Sequence, residues 1–192
     1  MAKVQDVAKF IQDKTGANGL RLQKLLYYCQ AWSLVWSKHP LFDDRIEAWE
    51  KGPVSPHVFG EEKNGGIKGD SSGVLPEQLK AIEAVLGLYG DKSGEWLSRL
   101  AHREQPWKTA RGGLSKEASS KAVISQDSIQ AYYSSIPLDE PFKFTPEYAD
   151  SIAFLVELPE DEVDLLGDHA PAVNAEQFLK WMETGDEEHA PA

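Results

Sequence analysis

The chain has 192 residues, 41% of them hydrophobic and 27% charged, with a net charge of −11. That is the composition of an ordinary globular protein. No apolar run reaches the roughly 18 residues of a spanning helix, the single Cys29 can neither close an internal disulfide nor alone build a zinc site, and the acidic balance argues against general nucleic-acid binding.

The charge is unevenly spread. Residues 1–138 hold 18 Lys/Arg and 16 Asp/Glu, a net +2, whereas residues 139–192 hold 2 Lys/Arg and 15 Asp/Glu, a net −13. An acidic region of this density either solubilises a surface or attracts a basic partner. The opening Met1-Ala2-Lys3-Val4-Gln5-Asp6 leads straight into an amphipathic stretch. It lacks the charged start and apolar core of a secretory signal, so a cytoplasmic location is expected.

Val4, Val7, Ala8 and Ile11 recur at helical spacing and predict a helix over 3–14, ended by Gly16. Asn18 is the expected cap of a second helix over 19–38, with Pro40 closing it. Its apolar residues, among them Leu22, Leu25, Leu26, Trp32 and Trp36, lie on more than one face, as in a central core helix. Residues 42–60 change character: 42–49 alternate roughly and then run into Lys51-Gly52-Pro53-Val54-Ser55-Pro56, which suits a short strand or small hairpin leading into a rigid turn. Residues 64–73 are loop-like. Pro76 starts a helix with Leu79, Ile82, Val85 and Leu86 inward, ending at Gly90. Ser93 caps the next, bearing Trp96, Leu97, Leu100 and Ala101, which Pro106 is expected to break. Ser125 opens another with Ile129, Tyr132, Tyr133 and Ile136. Beyond Pro137 and Pro141, helices are expected after Thr145-Pro146 and after Asn174.

Catalytic signatures are weak. No Gly-Lys-Ser/Thr phosphate loop or Gly-x-Ser-x-Gly elbow occurs, and Cys29 sits in an apolar helix that favours the neutral thiol. His39, His57, His102, His169 and His189 show no metal-ligand spacing. His102 and Glu104 are the best acid–base pair, but two residues apart on a helix they do not share a face, so a structural role is favoured. Trp49 and Trp107 lie at breaks, beside Gly52-Pro53 and Pro106, where an indole can be presented rigidly as an interface anchor.

Three segments together are informative. Leu22-Gln23-Lys24-Leu25-Leu26-Tyr27-Tyr28-Cys29-Gln30-Ala31-Trp32 resembles the signature helix of the Panacea domain family. Phe42, Ile46-Glu47-Ala48-Trp49 and Gly52-Pro53-Val54 resemble its second segment. Tyr89-Gly90 and then Ala101-His102-Arg103-Glu104-Gln105-Pro106-Trp107-Lys108 resemble its third, although Ala101 stands where threonine is common. The family-motif residues are thus Leu22, Lys24, Leu25, Tyr27, Trp32, His102, Glu104 and Pro106. The resemblance implies an antitoxin, of a kind often carried by phages and prophages, that acts by protein contact and is not an enzyme.

The expected fold is mainly α: a compact helical domain with a small hairpin or extended segment around 42–56, then an acidic, helical extension. The expected boundaries are 1–138 for the Panacea domain, 139–185 for the extension and 186–192 for a disordered tail. The expected function is neutralisation of a cognate protein toxin by direct binding, in a type II-like system, the toxin presenting a basic surface. A second expectation is an adaptor delivering the toxin to an AAA+ protease; a hydrolase or a DNA-binding autorepressor is less favoured. Trp49, Gly52, Pro53, Val54, His57, Trp107 and Arg111 are expected to bind the partner, because neighbouring prolines fix their backbone in advance. No cofactor, metal, membrane or nucleic-acid partner is expected.

Overall fold

A computed structural model describes residues 1–136, so the expected boundary at 138 and everything assigned beyond it lie outside the described residues. Within them the chain is mainly helical, as its periodicity predicts. Helices α1 (Val4–Thr15) and α2 (Gly19–Trp36) are followed by strands β1 (Ile46–Trp49) and β2 (Gly52–Val54). Next come α3 (Pro56–Lys63), a 3₁₀ turn (Ser71–Gly73), α4 (Pro76–Tyr89), α5 (Gly94–Arg103) and α6 (Gln105–Arg111). Strand β3 (Val123–Ile124) and α7 (Gln126–Ser135) complete them. No described helix is long and apolar enough to cross a membrane.

The architecture is organised around α2. Leu22 through Val35 are buried without interruption, and α1, α3, α4, α5, α7 and β2 all pack against it. A helix buried on every side over this length is a core helix. Aromatic rings fill its surroundings: Tyr28 stacks on Tyr89 at 4.5 Å, Trp32 on Trp36 at 5.2 Å, and Tyr133 of α7 meets Trp32 edge-on at 5.1 Å. These offset and T-shaped arrangements suit the ring quadrupoles.

The small antiparallel sheet, in the order β2-β1-β3, pairs Ala48 with Pro53 and Ile46 with Ile124. Pro53 lacks an N–H, which an edge strand such as β2 tolerates. The hairpin around 42–56 is as expected; the third strand, two residues long, has no counterpart in the sequence reading.

Three local expectations are corrected. Asn18 is the N-cap residue of α2, as expected, but its side chain does not accept from the helix: it bonds to Gln12 and to the Gly16 carbonyl, and the exposed Gly19 N–H donates to Glu62 Oε1 at 2.8 Å. A carboxylate 43 residues away thus meets the positive end of α2, which favours anions. Residues 56–63 are helical, begun by Ser55 accepting from Val58 N–H with Pro56 in the first turn. Pro106 does not break a helix; it occupies the first turn of α6, where its missing N–H costs nothing, and the break falls at Glu104.

Candidate functional site

The residues of the three sequence segments converge on one feature, the hairpin of β1 and β2. Its turn backbone is held by side chains from the helices beneath it. Arg111 Nη1 donates to the Ala48 carbonyl at 3.0 Å, Trp107 Nε1 to that of Trp49 at 2.9 Å and Ser98 Oγ to that of Lys51 at 2.9 Å. His102 bonds to the Glu50 backbone. Lys24 Nζ donates to the Pro53 carbonyl at 2.7 Å, and Gln23 Oε1 accepts from Ser55 N–H at 2.9 Å. Six side chains therefore bond to the backbone between 48 and 55.

Gly52 shows why the Gly-Pro-Val turn takes this sequence. Its φ is +96°, and a Cβ there would lie 2.8 Å from Lys24 Cε. Glycine both adopts the conformation and leaves room for the lysine stem. Lys24 is wholly buried, and burial draws its amine down to about 7. Either protonation state can donate to Pro53.

His102 and Glu104 point into different environments, as their spacing suggests. Glu104, 4% exposed, accepts from Tyr27 OH at 3.1 Å and Tyr28 OH at 3.0 Å. Burial lifts its carboxyl to about 7, against the opposing pull of Tyr133, Tyr28 and Tyr27. His102 lies tilted over Trp107, ring centroids 4.3 Å apart. Burial first, then the nearby Lys24 charge, lowers it to about 4. Burial thus favours the neutral form of each group, so that His102 is uncharged near neutrality and Glu104 keeps a proton well above the usual carboxylate range. Cys29 is buried and its thiol is pushed up by burial alone. Among the described residues no three His, Cys, Asp or Glu side chains group as metal ligands.

Of the residues expected to meet a partner, Gly52, Pro53, Val54, Trp107 and Arg111 are buried. Trp107 and Arg111 are 3% exposed, so they brace the surface from below. The Arg111 guanidinium lies 4.6 Å from the Trp107 ring centroid and also donates to the carbonyls of Ser115, Lys116 and Ala118, fastening the loop after α6. Trp49 is half-buried and reaches solvent. Its Nε1 donates to Glu47 Oε2 at 2.7 Å and its ring meets Phe59 edge-on at 4.9 Å. His57 is exposed on another face of α3, between Asp44 Oδ1 at 2.8 Å and Gln5 Nε2 at 2.9 Å. Trp49 and His57 therefore do not form one patch.

A groove of about 600 Å³ opens beside Trp49, with Leu20 and Phe59 in its floor and Lys51, Lys63 and Lys121 among its lining. The sequence reading missed it, because Leu20 and Phe59 belong to elements whose approach only the fold reveals.

Residues 22–108 match the family model described as antitoxin SocA-like, Panacea domain. Over those residues the chain is similar to a Panacea domain. No curated protein and no solved structure matches it. The matched span runs from α2 into α6 and includes every clamp side chain except Arg111. Within the matched span, then, Lys24 and His102 hold the hairpin, and Glu104 sits in the tyrosine-lined core. The match supports an antitoxin role in a toxin–antitoxin system.

Two outcomes follow from this arrangement. Gly52→Ala should destabilise the domain by about 2 kcal/mol or more, through backbone strain and displacement of Lys24; a melting curve unchanged from the parent would contradict the clamp. Glu104 and His102 titrate with opposite consequences. The raised Glu104 carboxyl contributes stability that is lost as pH rises from 4.5 to about 7, whereas the lowered His102 contributes stability that is lost as pH falls from 6.5 to about 4. Glu104→Gln should therefore gain stability relative to the parent as pH rises across 4.5–7, and His102→Gln should lose it across 4–6.5. Urea unfolding at four pH values reads both, and parallel profiles would refute the assignment.

Proposed function

We propose that the protein neutralises a cognate protein toxin by direct binding, as a type II-like antitoxin, and makes or breaks no covalent bond. The observation that carries this reading is the rigid presentation of Trp49. Its backbone carbonyl is held by Trp107, its indole N–H by Glu47 and its ring by Phe59, while part of the ring stays open beside the groove. Burial works against the Glu47 charge, but the Trp49 and Arg45 donors outweigh it and keep the carboxyl below its ordinary value, so the acceptor remains charged. A large amphipathic ring already locked in place loses little entropy on binding and makes a strong central anchor.

Absence of catalysis is supported by where the reactive groups lie. Glu104 is enclosed beneath Tyr27 and Tyr28, and Cys29 is inside α2, so neither faces a space a substrate could enter. The acidic residues 139–192 suit a toxin with a basic surface, adding speed of association and selectivity while the Trp49 face supplies the lasting contact.

Trp49→Ala should weaken toxin binding by roughly 30-fold, the effect of a 2 kcal/mol anchor, with the circular dichroism spectrum preserved. Glu104→Gln should bind the toxin like the parent wherever it folds. Titration calorimetry of both variants decides the matter; parent-like affinity in Trp49→Ala, or lost neutralisation with intact binding in Glu104→Gln, would overturn the proposal.

A further inference from the structure

We infer that, in the free protein, the groove beside Trp49 is the docking site for an acidic segment of this same chain, residues 154–166. The groove has an apolar floor, with Trp49 and Phe59 only half-buried, and carries Lys51, Lys63 and Lys121 at exposed positions. The Lys63 ammonium stands 5.6 Å from the Phe59 ring centroid, so positive charge and apolar surface are adjacent. Two carboxylates, Glu50 and Glu62, line the groove beside the three lysines; Glu62 is tied to Gly19 N–H and to Gln23, and the lysines remain in excess. Such a surface suits a ligand that alternates apolar and acidic side chains.

The chain supplies one. Phe154-Leu155-Val156-Glu157-Leu158-Pro159-Glu160-Asp161-Glu162-Val163-Asp164-Leu165-Leu166 contains five carboxylates, no basic residue and seven apolar side chains besides Pro159. Residues 1–138 carry a net +2 and residues 139–192 a net −13, so attraction acts between the two parts. Reach is not limiting. Helix α7 ends at Ser135, and the 18 residues from 136 to 153 can span roughly 60 Å, well beyond the roughly 14 Å radius of gyration of a compact body of this length. Tethering also raises the effective concentration of the segment at the groove, so a weak contact is well populated. This inference concerns the free protein and does not depend on which toxin is bound, or whether one is.

The test is zero-length carbodiimide coupling of the full chain without toxin, followed by peptide mapping. The expected products are amide links from Lys51, Lys63 or Lys121 to carboxylates within 157–164, in the monomer fraction and in a yield independent of protein concentration. Phe154→Ser with Leu155→Ser, a change outside the described body, should cut these links at least fivefold. Trp49→Ala should do the same from the groove side. Links spread equally to Lys3, Lys80 and Lys108, links found only between two copies, or yields unchanged in the Ser variant would each overturn the proposal. Because no toxin is present, these results leave the neutralisation reading to its own test.

Discussion

The structure depends on the hydrogen bonding of a short hairpin by buried side chains. Strands of four and three residues joined by a tight turn are marginal on their own. Buried backbone N–H and C=O groups must also find partners or carry a cost of a few kcal/mol each. Here the partners come from α2, α5 and the end of α6: Lys24, Gln23, Ser98, His102, Trp107 and Arg111. The hairpin is thus held by the domain beneath it, and the domain in turn is shaped to receive it. Gly52 shows the second half of that statement, since any larger residue would meet the Lys24 stem.

Holding the hairpin from below buries an ionisable side chain, Lys24, and the core beside it buries another, Glu104. The two are displaced to about 7, from opposite directions and by the same cause, desolvation. Such buried polar groups often contribute less to stability than apolar replacements of the same size would. What they contribute here is geometry: each bond has one acceptor, so the turn has one arrangement. Trp49 inherits that rigidity, and with it the open face of the groove acquires a fixed shape.

Much of this was legible in the sequence, and the gaps have physical causes. Helices α1, α2, α4, α5 and α7 follow from apolar periodicity and from caps such as Ser93 and Ser125, whose hydroxyls accept from Trp96 and Ser128 N–H. Helix α3 was missed although Ser55-Pro56 is a cap and first-turn proline, because the preceding Gly-Pro pair reads as a continuing turn. Strand β3 is too short to show a period. The capping of α2 by Glu62 is a tertiary contact that no local pattern encodes. At the candidate site, tryptophan beside proline marked both Trp49 and Trp107, yet only the fold shows that the first indole faces out while the second donates inward to the first residue's carbonyl. Prolines and aromatics identified the rigid region; they did not tell which residues form its surface and which support it.

Amide hydrogen exchange of the free protein tests the central claim most directly. A hairpin fastened by six side chains, five of them buried, opens only when the domain around it opens, so the paired amides of residues 46–54 should exchange about as slowly as those in the middle of α2. Exchange of those amides within seconds, with protection acquired only when a partner is added, would contradict the account.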